Sequence, residues 1–270
     1  MPIQRILLPI DLCREPRKPI RYGTEIAASM NAELYLLHVV ESGNGREHCP
    51  WPIGCGANYV DDSPSVRRLL LNGKPCENIT SCANSIDADV ILMPTRGHGF
   101  LRKLLLGSTT MRVLRTTKTP VWIAKPLAVE AGSSFRCGRI LCGIQFGAEG
   151  RRVLDYAARW AEAWGAELLI VHVVPEISEA LLYTSLDYSG EVELNPQSAR
   201  DRIASMADMI DVPYQVESGM GDVSVVLRQM AARWRADVVI VGRGGAVDQR
   251  IGMNLEDIIE RAPCPVIAVR

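Results

Sequence analysis

The sequence predicts an α/β protein written twice, and three observations carry that reading. Short β-branched and apolar runs alternate with helical stretches along the chain. The runs are almost continuously apolar, the mark of parallel strands covered on both faces. The whole alternation then recurs at a nearly constant offset. "RILLPID" at 5–11 matches "RILCGIQ" at 139–145, and "AELYLLHVVE" at 32–41 matches "AELLIVHVVP" at 166–175, both displaced by 134 residues. "ADVILMPTRG" at 88–97 matches "ADVVIVGRGG" at 236–245 with 14 more residues intervening, and "TPVWIAK" at 119–125 matches "CPVIAVR" at 264–270 with three fewer.

Two domains are implied, over 1–128 and 136–270, with the small and flexible residues of "PLAVEAGSSF" (126–135) as connector. In the second half, strands are expected at 140–144, 168–174, 214–217, 238–241 and 266–269. Between the first two, "EGRRVLDYAARWAEAWG" sets Val153, Ala157, Trp160 and Trp164 on one helical stripe, and Gly165 closes the helix. "NPQSARDRIASMADMID" supplies a second helix with Pro196 at its start, and "DVSVVLRQMAARWRA" a third with Asp222 as N-cap. The first half has "ESGNGREHCPWPIGCGANYVDDSP" in place of that second helix, rich in Gly and Pro and without helical period, so the helix is expected to be missing or reduced to a loop.

The balance of 30 basic and 31 acidic residues leaves a formal charge of −1, which gives no global attraction to nucleic acid or anionic lipid. The tryptophans form no stacking ladder interleaved with basic residues. The N-terminus meets charge at Arg5 and Asp11 and has no long apolar core, so no signal peptide is read and a cytoplasmic protein is expected. No apolar run is long enough to span a membrane. Cys49/Cys55 and Cys76/Cys82 are each separated by five residues, wider than zinc pairs, so no metal site is expected even with His48 nearby. Cys13, Cys137, Cys142 and Cys264 read as small core residues.

One stretch, "MPTRGHGFLRKLLLGSTT" (93–110), points to chemistry. It leaves the apolar run 90–93 and enters a helix near Ser108, the place where parallel sheets bind ligands. Exposed N–H groups and the positive helix end favour phosphate there, Gly97 and Gly107 allow close approach, and Ser108 and Thr109 offer hydroxyls. Ser108 is equally an ordinary N-cap. No Walker sequence occurs, and "GHGFLR" (97–102) and "GMGDVS" (219–224) both fail the dinucleotide fingerprint at its third glycine.

Asp11 in "ILLPIDL", the "LLHVV" strand, and Gly97-x9-Gly107-Ser108 ahead of "TPVWIAK" together resemble the universal stress proteins, over nearly the whole chain and as two tandem copies. That resemblance implies two Rossmann-like domains of the adenine-nucleotide α-hydrolase type, each a five-stranded parallel sheet flanked by helices. The last strand of such domains commonly pairs across a dimer interface, which a tandem chain can satisfy internally. It implies a bound ATP or AMP, with or without Mg. Pro9, Ile10 and Asp11 would sit at adenine and ribose, and Val39 would pack on the base. Met93, Pro94, Arg96 and Gly97 would line ribose and the first phosphates, with Gly107, Ser108 and Thr109 on the outer phosphates. Pro94 stands where the family's G-x2-G-x9-G-S/T pattern has its first glycine, and proline brings no N–H.

The second loop departs further. Gln145 replaces Asp11, Met253 replaces Ser108, and Gly242-x2-Gly245-x6-Gly252 is three residues shorter. Methionine cannot donate a hydrogen bond to phosphate, so one site per chain is expected. No general base is assignable, and hydrolysis is expected to be weak at most. His38 and His172, in equivalent strands, read as hydrogen-bonded structural histidines. The expected role is a nucleotide-binding regulatory module in stress response, with a homodimer of tandem chains and a protein partner implied. The alternative is a nucleotide-independent dimeric interaction or scaffold protein.

Overall fold

In the computed structural model, residues 2–12, 17–41, 65–94, 106–124, 135–174, 195–244 and 253–270 are described. Outside them lie residues 42–64, with Cys49 and Cys55 and the expected loss of a helix, residues 126–134 of the expected connector, Cys13, Arg96, Gly97 and His98, and the glycines at 245 and 252. The chain divides into two units, Met1–Arg136 and Cys137–Arg270.

The first unit runs β1 (Arg5–Pro9), α1 (Arg17–Met30), β2 (Glu33–Val40), β3 (Val66–Asn72), α2 (Pro75–Ser85), β4 (Val90–Pro94), α3 (Ser108–Thr116) and β5 (Val121–Ala124). Its strands lie in the order β3-β2-β1-β4-β5, and the β1–β2, β1–β4, β2–β3 and β4–β5 pairs are all parallel. The second unit runs β6 (Arg139–Gly143), α4 (Ala148–Trp164), β7 (Glu167–Val174), α5 (Pro196–Ala207), β8 (Tyr214–Met220), α6 (Val223–Trp234), β9 (Val238–Gly242), α7 (Met253–Arg261) and β10 (Val266–Val269). Its order is β10-β9-β6-β7-β8, again parallel throughout. Each unit is thus the five-stranded parallel sheet expected, with helices between strands.

Apolar runs fill the centre of each sheet. Ile6, Leu7 and Leu8 of β1, and Ile140, Leu141 and Cys142 of β6, are fully buried. Strands buried on both faces need no alternation, which is why these runs read as continuous. Right-handed crossovers put α1 on one face of the first sheet and α2 and α3, which touch each other, on the opposite one. The helical stripe read in the second half is likewise inward, with Val153, Ala157 and Trp160 of α4 buried and the Trp164 ring 4.7 Å from that of Trp160. Cys137, Cys142 and Cys264 are buried as expected, and burial pushes the thiols of Cys137 and Cys142 far up.

The repeat extends to single hydrogen bonds. Asp89 Oδ2 accepts from the Gln4 and Arg5 N–H groups at 2.8 and 3.0 Å, and Asp237 Oδ2 accepts from those of Gly138 and Arg139 at 2.8 and 2.9 Å. Arg5 and Arg139 each donate through Nη1 to a carbonyl at the end of the helix that leads into β4 or β9, Ile86 and Trp234, at 3.1 Å. The "ADV" of each half therefore ties two strands together at the amino edge of its sheet.

Helix ends obey their local chemistry. Gly165 takes the left-handed conformation (φ 63°) and Ala166 N–H donates back to Ala161 O at 2.8 Å. The twin position, Asn31, is also left-handed (φ 54°), with Ala32 N–H donating to Ala27 O at 2.9 Å. Asp222 caps α6, its Oδ1 accepting from Val225 N–H at 2.9 Å and from the Ser224 hydroxyl at 2.6 Å. Asn195 caps α5 ahead of Pro196, a cap that the proline signal alone does not name.

Two outcomes test these ends. Gly165→Ala should lower unfolding free energy in urea by about 1 kcal/mol, the cost of a Cβ at left-handed φ, whereas Asn31→Gly should leave it unchanged or raise it. Asp222→Ala should cost about 1 kcal/mol at neutral pH. The Ser224 hydroxyl and then the Val225 N–H hold the Asp222 carboxyl below the usual carboxylate range. A depressed folded pKa means the contribution is complete above the unfolded value of about 3.9 and fades as pH falls through the folded one, so the mutant and wild-type curves should converge in acid.

Candidate functional site

A parallel sheet whose order reverses sends neighbouring loops to opposite faces and opens a crevice at the carboxyl edge. In the first unit the reversal falls between β1 and β4, which register Ile6 against Val90 and Leu7 against Ile91. Pro9, Ile10 and Asp11 leave β1 on one side of that point, and Met93 and Pro94 end β4 on the other. Val39 stands one residue from the end of β2, on the other flank of β1. Met93 and Ile10 are buried, while Pro9, Asp11, Val39 and Pro94 are partly open. Pro94 still pairs in register with Ala124 of β5. Arg96 and Gly97 lie outside the described residues.

Gly107, Ser108 and Thr109 head α3. The N-cap is Gly107 (φ −62°, ψ 150°), and Ser108 is the first helical residue, which corrects the reading of Ser108 as cap. With a glycine in the cap position, the cap residue has no side chain to accept from the first turn. Ser108 is exposed, and the α3 N-terminus that it opens carries the positive end of the helix dipole. Gly107 is not demanded by the backbone, since its φ is ordinary and a Cβ there would meet nothing within 4 Å.

Behind Asp11 the turn is fixed by β2. Ile10 N–H donates to Leu37 O at 2.8 Å, and Nδ1 of His38, a buried side chain, lies 3.1 Å from Ile10 O. The second unit repeats this, with Ile144 N–H to Val171 O at 2.9 Å and His172 Nδ1 to Ile144 O at 2.9 Å. Both histidines are thus the hydrogen-bonded residues the sequence suggests.

The second unit furnishes its reversal point, between β6 and β9, differently. Gln145 is exposed where the first unit has Asp11. Glu149, in the first turn of α4, turns its carboxylate over the end of β9, where Oε1 accepts from Gly244 N–H at 3.0 Å. A Cβ on Gly242 would stand 2.8 Å from that same oxygen, so the glycine leaves the room the carboxylate takes. Arg243, 5% exposed, donates through Nε to Ala268 O at 3.3 Å, and burial draws its pKa down to about 10. Beside Gln145, the Phe146 ring lies 4.2 Å from that of His172, and the Arg202 guanidinium of α5 covers Phe146 at 4.3 Å. Sequence reasoning missed Glu149 and this stack. An acid in the first turn of a helix was the available signal for the former, and nothing local marks the latter.

Comparison with known proteins gives the same frame. The model of the universal stress protein family matches residues 59–125 and 137–270. Universal stress protein Rv2005c of Mycobacterium tuberculosis is 24% identical over 274 residues, covering 92% of this chain and 91% of that one. Among solved structures, a universal stress protein from Archaeoglobus fulgidus superposes with a TM-score of 0.66 at 20% identity over 99% of this chain and 97% of its own. A putative universal stress protein from Pseudomonas aeruginosa UCBPP-PA14 does so with a TM-score of 0.68 at 17% identity over 99% and 93%. With its two matched segments and the same fold in each half, the chain belongs to the universal stress protein family, in tandem form.

Proposed function

We propose that the first unit binds one adenine nucleotide, ATP or AMP, at the carboxyl edge between β1 and β4, and that the second unit binds none. The observation that carries this reading is the contrast at the reversal point. The first unit offers a partly open carboxylate, Asp11, and an α3 N-terminus without a side-chain cap; the second offers Gln145 and a loop N–H already taken by Glu149. A ribose presents hydroxyl donors that suit Asp11, and phosphate oxygens suit the N–H groups and hydroxyls of Gly107, Ser108 and Thr109. Pro9, Ile10, Val39, Met93 and Pro94 supply the apolar and backbone surface between them, and Arg96 and Gly97 complete the set. Mg would accompany a triphosphate.

Pro94 fits this division of labour. It carries a Cβ where Gly242 has none, so a carboxylate could not lie over it as Glu149 lies over Gly242. Glu15, the sequence twin of Glu149, lies outside the described residues. The role proposed is occupancy-dependent regulation in the stress response, with any hydrolysis weak. A cytoplasmic setting, a homodimer of tandem chains and a protein partner belong to the same proposal. Among the described residues no helix is long and apolar enough to cross a membrane.

Calorimetric titration of the nucleotide-stripped chain tests the reading. ATP or AMP should bind with micromolar affinity, weakened at least about ten-fold by Asp11→Ala, the scale of one charged hydrogen bond. Gly107→Val should weaken binding while leaving the melting temperature within about 2 °C, because its side chain enters open space. Gln145→Ala should change neither. No heat with wild type would leave the scaffold reading instead. Glu149→Ala should speed amide exchange at Gly244 by about ten-fold and leave ATP affinity as it is; unchanged exchange would contradict the carboxylate's hold on that loop.

A further inference from the structure

We infer that His38 is a positioning residue for the nucleotide site: through one hydrogen bond it fixes the backbone from which Asp11 projects. The inference rests on the proposed site and adds a residue that touches no ligand. Ile10 directly precedes Asp11 and is held from β2 on both its polar groups, by Leu37 O at its N–H and by His38 Nδ1 at its carbonyl. A carbonyl oxygen can only accept, so at 3.1 Å Nδ1 carries the proton and donates to it. Leu12 N–H, on the other side of Asp11, lies at 3.5 Å from the same nitrogen, too long to compete with the shorter bond. The imidazole therefore sits against both residues that flank Asp11, and it is buried where water cannot replace it.

The second unit is a built-in control. His172 Nδ1 donates to Ile144 O at 2.9 Å in the same place of the fold, yet the residue after Ile144 is Gln145. If the bond served only to stabilise a βα turn, losing it in either unit would have the same effect. If it positions Asp11, losing it in the first unit should be felt by the nucleotide and losing it in the second should not.

The test uses the full chain, ATP and AMP titrations, and thermal melts of four variants. His38→Phe keeps the ring's bulk and removes the donor, whereas the amide N–H of His38→Asn can stand close to where Nδ1–H stands. His38→Phe should weaken nucleotide binding by roughly ten-fold, the worth of one hydrogen bond. His38→Asn should restore affinity to within about three-fold of wild type on the same argument. His172→Phe should lower the melting temperature as His38→Phe does and leave affinity unchanged. Should His38→Phe fail to fold, His38→Gln takes its part, since its amide reaches the Nε2 place and leaves Ile10 O without its donor. Wild-type affinity in His38→Phe or His38→Gln would overturn the inference, as would equal losses of affinity in the His38 and His172 variants, or no rescue by Asn. Absence of binding in wild type would remove the nucleotide reading and this one together. Binding that is lost in Asp11→Ala but kept in His38→Phe would remove this one alone.

Discussion

Everything in each unit depends on a central strand, β1 or β6, which comes first in its unit and is flanked on both sides by strands that follow it. β2 lies on one side of β1 and β4 on the other, so the crossover into β2 and the later crossovers into β4 and β5 must run over opposite faces. That single constraint buries the strand on both faces and demands the apolar runs 6–8 and 140–142. It also sends the loops at the carboxyl edge to opposite faces, which opens a crevice there. The Asp89 and Asp237 bonds at the amino edge brace the same pair of strands from below.

The two units then diverge within an identical frame. In both, a histidine of the second strand holds the carbonyl just beyond the end of the first. The side chain on the next residue differs: a carboxylate in one, an amide in the other. At the far side of the crevice the second unit has turned a carboxylate of its own, Glu149, toward the loop N–H, and has packed Phe146 between His172 and Arg202. A duplicated fold can keep its core while the edge in one copy closes on itself, because the core is set by the central strands and the edge by a handful of loop residues.

Much of this is legible in the sequence. The repeat, the strands of the second half, the α4 stripe and the caps at Gly165 and Asp222 each come from local period or local backbone chemistry, and local signals survive in a single sequence. The placing of Asp11 beside the end of β4 comes through family resemblance, since no spacing within the chain relates residue 11 to residue 94. Glu149 and the Phe146 stack are not legible, because each joins residues far apart in sequence whose types are common on any surface. The N-cap of α3 is displaced by one residue from its expected place, since a serine beside a glycine gives the stronger cap signal even when the backbone turns at the glycine. Residues 42–64 and 95–105 lie outside the described residues, and the expectations for Arg96 and Gly97 rest on resemblance.

The central claim is that one of two like units holds the nucleotide. Native mass spectrometry of the full chain with saturating ATP, paired with a crystal structure of the complex, counts and locates it. The account predicts one nucleotide per chain, at the edge bearing Asp11. Two nucleotides per chain, or one lying beside Gln145, would contradict it.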